Sequence, residues 1–197
     1  MLKNIKEKLP AITVYCGSST GNKDSYMESA RTLGALFAEH EIELVYGGGQ
    51  KGLMGEVANS CLNANGKVIG IIPEFMVDLE WAHTGLTTLH LVDTMTQRKE
   101  MLLEMGDGIL CLPGGAGTLE EFAEILSWSQ LHIHYKPLGF LNVENYYDSF
   151  FTFFDHMVQE GFCPANTKDL FVVDTDPQRL LEKMANFEHH GIPKVTS

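Results

Sequence analysis

Residues Gly108 to Glu121 read G-I-L-C-L-P-G-G-A-G-T-L-E-E, and the reading of the fold starts from this stretch. Ile109 to Leu112 is a short apolar run of strand type. Pro113 ends it, because a proline cannot continue a central ladder. Gly114, Gly115 and Gly117 let the backbone turn tightly and approach a ligand with no Cβ atoms in the way. Beyond them, Leu119, Phe122, Ala123 and Leu126 recur at i, i+3, i+4 and i+7, the stripe of an amphipathic helix. Strand, glycine turn and helix start aim free N–H groups and a positive dipole end at one point, an arrangement suited to a phosphate. Thr118 and Glu121 also have the S/T-x-x-E spacing of a capping box, so the pair serves either the helix end or the chemistry.

The same alternation runs outward in both directions. Strands are expected at Ala11 to Cys16, Glu43 to Tyr46, Lys67 to Ile72, Thr87 to Val92, Pro137 to Leu141 and Leu170 to Val173. Between them lie helical patterns. One runs from Asp24 or Ser25 to about His40, and one passes through Met54, Val57 and Cys61. Another opens at Thr94, where Gln97 three residues on makes a second candidate capping box. The helix after the glycines is expected to reach about His132, and a Phe-rich one spans Asn145 to Gly161 as core or subunit contact. The last covers Asp176 to Asn186. Residues 73–85 read as a loop over the site. Strict alternation of strand and helix predicts an α/β fold, a single Rossmann-like, doubly wound parallel sheet with helices on both faces. Ligands in such sheets bind beyond the carboxyl ends of the strands. The turns at Gly17, at Gly47 to Gly52 and at Gly114 to Gly117 converge there.

One domain accommodates the 197 residues, with 1–9 and 188–197 expected as loose termini. A hydrophobic share of 44% suffices for a sizeable core, and no apolar run approaches the ~18 residues of a membrane span. The first ten residues carry positive charge but no apolar segment of secretory type. Cys16, Cys61, Cys111 and Cys163 are far apart with no C-x-x-C pair, so free thiols and a cytoplasmic location are expected. The formal net charge of −12 argues against nucleic-acid and anionic-membrane partners, which require basic surfaces. No metal-ligand spacing surrounds His132 and His134.

Two further constellations bear on chemistry. Arg98, Met101, Leu102 and Met105 fall at i, i+3, i+4 and i+7, which turns Arg98 toward the apolar face. An arginine does not shed its charge, so a desolvated one needs an acceptor. It is either a snorkelling side chain or a structural ion pair, or else a fork for a substrate phosphate or the orienter of a catalytic carboxylate, with Lys99 adjacent. Gly47, Gly49 and Gly52 form G-x-G-x-x-G after a strand, with Glu74 beyond the next one, as in a dinucleotide site. That fingerprint belongs on the first strand of its unit, however, and leaves the glycines at 114–117 unexplained.

P-G-G-A-G-T-L-E-E (Pro113 to Glu121), preceded by T-M-T-Q-R-K (Thr94 to Lys99), resembles the LOG ("Lonely Guy") family, cytokinin riboside 5′-monophosphate phosphoribohydrolases long labelled lysine decarboxylase-like. Y-C-G-S-S, V-Y-G-G-G-x-x-G-L-M-G, V-I-G-I-I-P, A-H-T-G-L and K-P-L-G-F-L-N-V extend the likeness over most of the chain. The resemblance implies hydrolysis of the N-glycosidic bond of AMP or an N6-modified AMP, giving free base and ribose 5-phosphate, in a homodimer without metal or redox cofactor. It makes Arg98 and Glu121 the catalytic pair and assigns the 5′-phosphate to Gly114, Gly115, Gly117 and Thr118. Lys99, Glu120, Glu80, Gly17, Ser18, Gly47, Gly48, Met54 and Ser127 would complete the pocket. A non-enzymatic nucleotide or molybdenum-cofactor carrier on the same fold is the alternative, and an NAD(P) oxidoreductase a third. Departures at Thr96, Ala116, His132 and Tyr135 concern the base. No lysine sits in a PLP-type motif, which speaks against the decarboxylase label.

Overall fold

The computed structural model describes residues 3–77 and 82–189. Its seven strands form one parallel sheet in the order β4-β3-β2-β1-β5-β6-β7. They are β1 (Ala11–Tyr15), β2 (Glu43–Tyr46), β3 (Val68–Pro73), β4 (Thr88–Val92), β5 (Gly108–Cys111), β6 (Leu138–Leu141) and β7 (Phe171–Asp174). The expected α/β sheet is therefore present. Its central strands are apolar runs, not alternating ones, because both faces are covered. Ile12 and Val14 of β1 face one core with Leu110 and Leu112, whereas Tyr15, Ile109 and Cys111 face the other.

The first layer of helices is α1 (Lys3–Lys8), α2 (Asp24–Glu39), α3 (Gly52–Asn63) and the C-terminal helix Pro177–Ala185. The second is α4 (Met95–Met105), α5 (Ala116–Gln130) and α6 (Asp148–Gln159), so the C-terminal helix is α7. Strand order reverses between β1 and β5, whose ends pair Tyr15 with Cys111. The crevice of a doubly wound sheet opens at this switch point.

Three local expectations are corrected. Residues 3–8 are not a loose terminus: they form α1, with Ile5 and Leu9 buried against α7. At the other end, His189 is docked, its Nε2 2.9 Å from Ser129 Oγ and its ring 4.9 Å from that of Tyr135. The expected tail from residue 190 lies outside the described residues. The helix after the glycines ends at Gln130, short of His132, which takes a left-handed φ of 60°.

The Phe-rich helix divides in the way an amphipathic element should. Phe150, Phe151 and Phe154 cluster with Phe140 and Phe171 in the second core, and Phe122 contacts Phe140 at 4.3 Å. Each such ring pair adds about 0.5–1.5 kcal/mol beyond area burial. Phe153 faces outward. All four cysteines are free thiols, three of them buried. No helix among the described residues is long and apolar enough to cross a membrane.

Candidate active site

Helix α5 begins earlier than a Thr118 cap requires. Its N-cap is Gly115, with extended backbone, and no side chain caps it. Thr118 therefore occupies the first turn and Glu121 the second, so the capping-box reading of this pair fails. Glu121 is nonetheless only 9% exposed and Thr118 4%. Both residues border the cleft at the helix start. A Cβ placed on Gly115 or Gly117 would meet nothing within 4 Å, so the helix start opens into space.

The capping box predicted at the start of α4 is real: Thr94 Oγ1 accepts from Gln97 N–H (3.1 Å), and the Gln97 side chain accepts from Thr94 N–H (3.3 Å). Such a cap is worth about 1 kcal/mol. It fixes the first turn, from which Arg98 points inward, 4% exposed. Thr13 Oγ1 donates to the Leu102 carbonyl (2.6 Å) and holds the same helix against β1. The Arg98 guanidinium donates through Nε to the Ile71 carbonyl (3.2 Å) and through Nη2 to that of Gly47 (3.0 Å). Its Nη1 lies 4.0 Å from the thioether sulfurs of Met76 and Met95. Carbonyl and thioether groups thus seat the guanidinium on the wall of the site.

Glu121, Arg98 and the helix start border one cleft of about 350 Å³. Gly115, Ala116, Gly117 and Thr118 form one side, with Glu120 and Glu121 behind them. Cys16, Gly17 and Ser18 come from the end of β1, and Met54, Met76 and Met95 complete the walls. A second hollow of about 280 Å³ adjoins it across Gly17, Ser18 and Gly115, bordered by Gly114, Tyr26 and Tyr146. Tyr15 is buried beneath the cleft. Burial pushes its phenol well above the usual range; the Glu121 charge adds to that rise and the Arg98 charge opposes it.

The two glycine-rich turns prove unequal. At the start of α3, the Leu53 and Met54 N–H groups both donate to the Gly17 carbonyl (3.1 and 3.3 Å). Gly52, with φ +60°, lies so close that a Cβ there would sit 2.3 Å from the Ser18 carbonyl carbon. This turn is a packing joint between two loops. Gly47 has a different duty: a Cβ on it would fall 2.1 Å from Arg98 Nη2. Glu74, the acid of the dinucleotide reading, is exposed on a short 3-10 turn after β3 and does not border the cleft.

Of the expected pocket residues, Lys99 donates to Glu120 (2.7 Å) and Glu124 (3.0 Å), and those hydrogen bonds, Glu120 first, raise its pKa. Lys99, Gly48 and Ser127 are not among the residues that border the cleft. Glu80 lies outside the described residues. Sequence reasoning missed Met76, Met95 and Cys16. Met95 was findable, since it precedes Arg98 by three positions on one helix face. Met76 sits in an irregular segment with no periodicity to betray it.

Residues 54–184 match the family model described as "Possible lysine decarboxylase". A cytokinin riboside 5′-monophosphate phosphoribohydrolase of Rhodococcoides fascians is 43% identical over 167 residues, 84% of this chain and 84% of its own. One of Arabidopsis thaliana is 40% identical over 183 residues, covering 93% and 86%. Among solved structures, the molybdenum cofactor binding protein of Rippkaea orientalis superposes with a TM-score of 0.67 over 88% of this chain and 93% of its own. At 21% identity that likeness speaks for the fold alone. With two relatives at or above 40% identity over most of its length, the chain belongs to the LOG family of cytokinin riboside 5′-monophosphate phosphoribohydrolases.

Proposed function

We propose that the protein hydrolyses the N-glycosidic bond of AMP or an N6-modified AMP, releasing the base and ribose 5-phosphate. One observation carries this reading: a buried carboxylate, a buried arginine and an unobstructed helix start face a single cleft. The 5′-phosphate binds at Gly115 to Thr118, where first-turn N–H groups and the helix dipole favour an anion. Cleavage of the C1′–N bond sends its electron pair to the base and builds positive charge on the ribose. The Glu121 carboxylate stabilises that charge and takes a proton from the water whose oxygen bonds to C1′. The departing base takes up a proton, so one water is consumed in all. Arg98 supplies a fixed positive charge that favours ionised Glu121 and attracts the nucleotide. We also assign the protein a homodimeric state, as the family resemblance implies, and a cytoplasmic location, to which its four separated free cysteines point.

Purified protein incubated with AMP and with isopentenyladenosine monophosphate should release base and ribose 5-phosphate, and release none from the unphosphorylated nucleosides. Binding of AMP with no base released would refute hydrolysis and favour a carrier.

A further inference from the structure

The Gly47–Gly49 turn, which holds Arg98, presents three consecutive carbonyls, and each has a different donor. Gly47 receives Arg98 Nη2 at 3.0 Å, Gly48 receives the His83 backbone N–H at 2.9 Å, and Gly49 receives the Tyr46 hydroxyl at 3.1 Å. Ala82 also bridges Gly49 in antiparallel fashion. The segment that begins at Ala82 therefore clasps the turn from outside, and His83 is its centre.

His83 is buried, and both ring nitrogens have partners. Nδ1 accepts from the Gly85 N–H at 3.1 Å, so it carries no proton. Nε2 then bears the hydrogen and donates to Asn59 Oδ1 of α3 at 3.0 Å. The ring thus folds residues 83–85 into a tight turn and ties that turn to a helix. Its own N–H is thereby fixed against Gly48.

We propose that His83, as the neutral Nε2–H tautomer, is a positioning residue for Arg98. Through Gly48 it fixes the turn whose Gly47 carbonyl seats the guanidinium. The proposal rests on the reading of the cleft as a phosphoribohydrolase site, since Arg98 matters there for the reacting charge. A misplaced Arg98 lowers transition-state stabilisation more than ground-state binding, so the loss falls on kcat.

The test compares two variants. His83→Ala removes both ring bonds. His83→Asn places an oxygen where Nδ1 was, keeping the acceptor for Gly85 N–H in the manner of an Asx turn. Base release from AMP should fall about tenfold in kcat for H83A with KM little changed, as a sub-ångström to ångström misplacement implies. H83N should recover at least half of the wild-type kcat. Wild-type kcat in H83A, a loss confined to KM, or equal losses in both variants would overturn the proposal. If wild-type protein releases no base from AMP, the reading of the cleft fails instead. The clasp is then judged on the 15N shifts of the His83 ring in the wild type. Unprotonated Nδ1 with protonated Nε2 at neutral pH supports it, and the opposite tautomer or an imidazolium refutes it.

Discussion

Replacing Gly47 by alanine isolates the seating of Arg98 from every other property of the site. A Cβ at this position falls 2.1 Å from Arg98 Nη2 and 3.2 Å from Cζ. Non-bonded atoms settle near 3.5 Å, so the guanidinium must retreat by about 1.4 Å. The Nη2 bond to the Gly47 carbonyl, now 3.0 Å, does not survive that shift. A hydrogen bond to a charged group contributes about 1.5–3 kcal/mol. If that loss appears in the transition state, it corresponds to roughly a 10- to 150-fold fall in rate. Misplacement by about 1 Å leads to the same order, near 10²-fold.

The fold should tolerate the change. Gly47 is not among the glycines with left-handed φ, so alanine suits its backbone. The obstructing atoms belong to the tip of a flexible side chain, and removing a glycine from the unfolded chain returns about 0.4–1 kcal/mol. We therefore expect G47A to melt within a few degrees of wild type while kcat for adenine release from AMP falls about 100-fold. In an Arg98→Ala background the added methyl has nothing to strike, so G47A/R98A should be no slower than R98A. Wild-type kcat in G47A, with melting unchanged, would refute the claim that the wall position of Arg98 matters. Additive losses in the double variant would assign the defect to the turn itself.

Glu121→Gln should keep the melting temperature and lower kcat by about 10²–10³-fold, as loss of a preorganised charge does, measured as base released from AMP. Gly117→Ala makes a double prediction: the helix gains roughly 0.5–1 kcal/mol from losing a glycine, seen as a raised Tm, while the methyl entering open space raises KM for AMP about tenfold. A G117A enzyme with unchanged KM would put the phosphate elsewhere. Asp174 is the pH test. Burial alone would raise its pKa, but Arg179, Lys183 and the Asp176 N–H hold it well below the usual carboxylate range. A carboxyl depressed in the fold contributes stability that is present above its unfolded pKa, near 4, and lost as pH falls below that value. Asp174→Asn should therefore lower Tm at neutral pH and flatten its decline below about pH 4, followed by thermal melts across that range.

The centre of the sheet was legible because β1, β2, β3 and β5 are apolar, often β-branched runs with glycine or proline at or just beyond their ends. The inward turn of Arg98 was legible because Met101, Leu102 and Met105 share its helical face. Helix α1 was not, since K-N-I-K-E-K offers one apolar residue and no period; its order comes from Ile5 and Leu9 packing against α7, a contact with no local signature. The start of α5 was misjudged for a related reason. S/T-x-x-E spacing describes two side chains, whereas the N-cap is set by where the backbone turns. Here Gly115 takes that position, three residues before Thr118.

That displacement also decides between the two glycine-rich turns. By residue type, G-x-G-x-x-G at 47–52 is the better dinucleotide match, yet a phosphate needs free N–H groups more than it needs glycines. At α3 the first amides already donate to the Gly17 carbonyl, and Gly52 serves close packing against Ser18. At α5 the N-cap has no side-chain partner, and Gly115 and Gly117 look onto open space. The turn at 47–49 instead holds a cation: its carbonyls face donors, and one of those donors is Arg98. One glycine turn thus presents oxygens to Arg98, and the other leaves its helix-start nitrogens for the phosphate that the proposed reaction requires. A polarity of this kind is invisible in a spacing pattern and plain once hydrogen-bond directions are known.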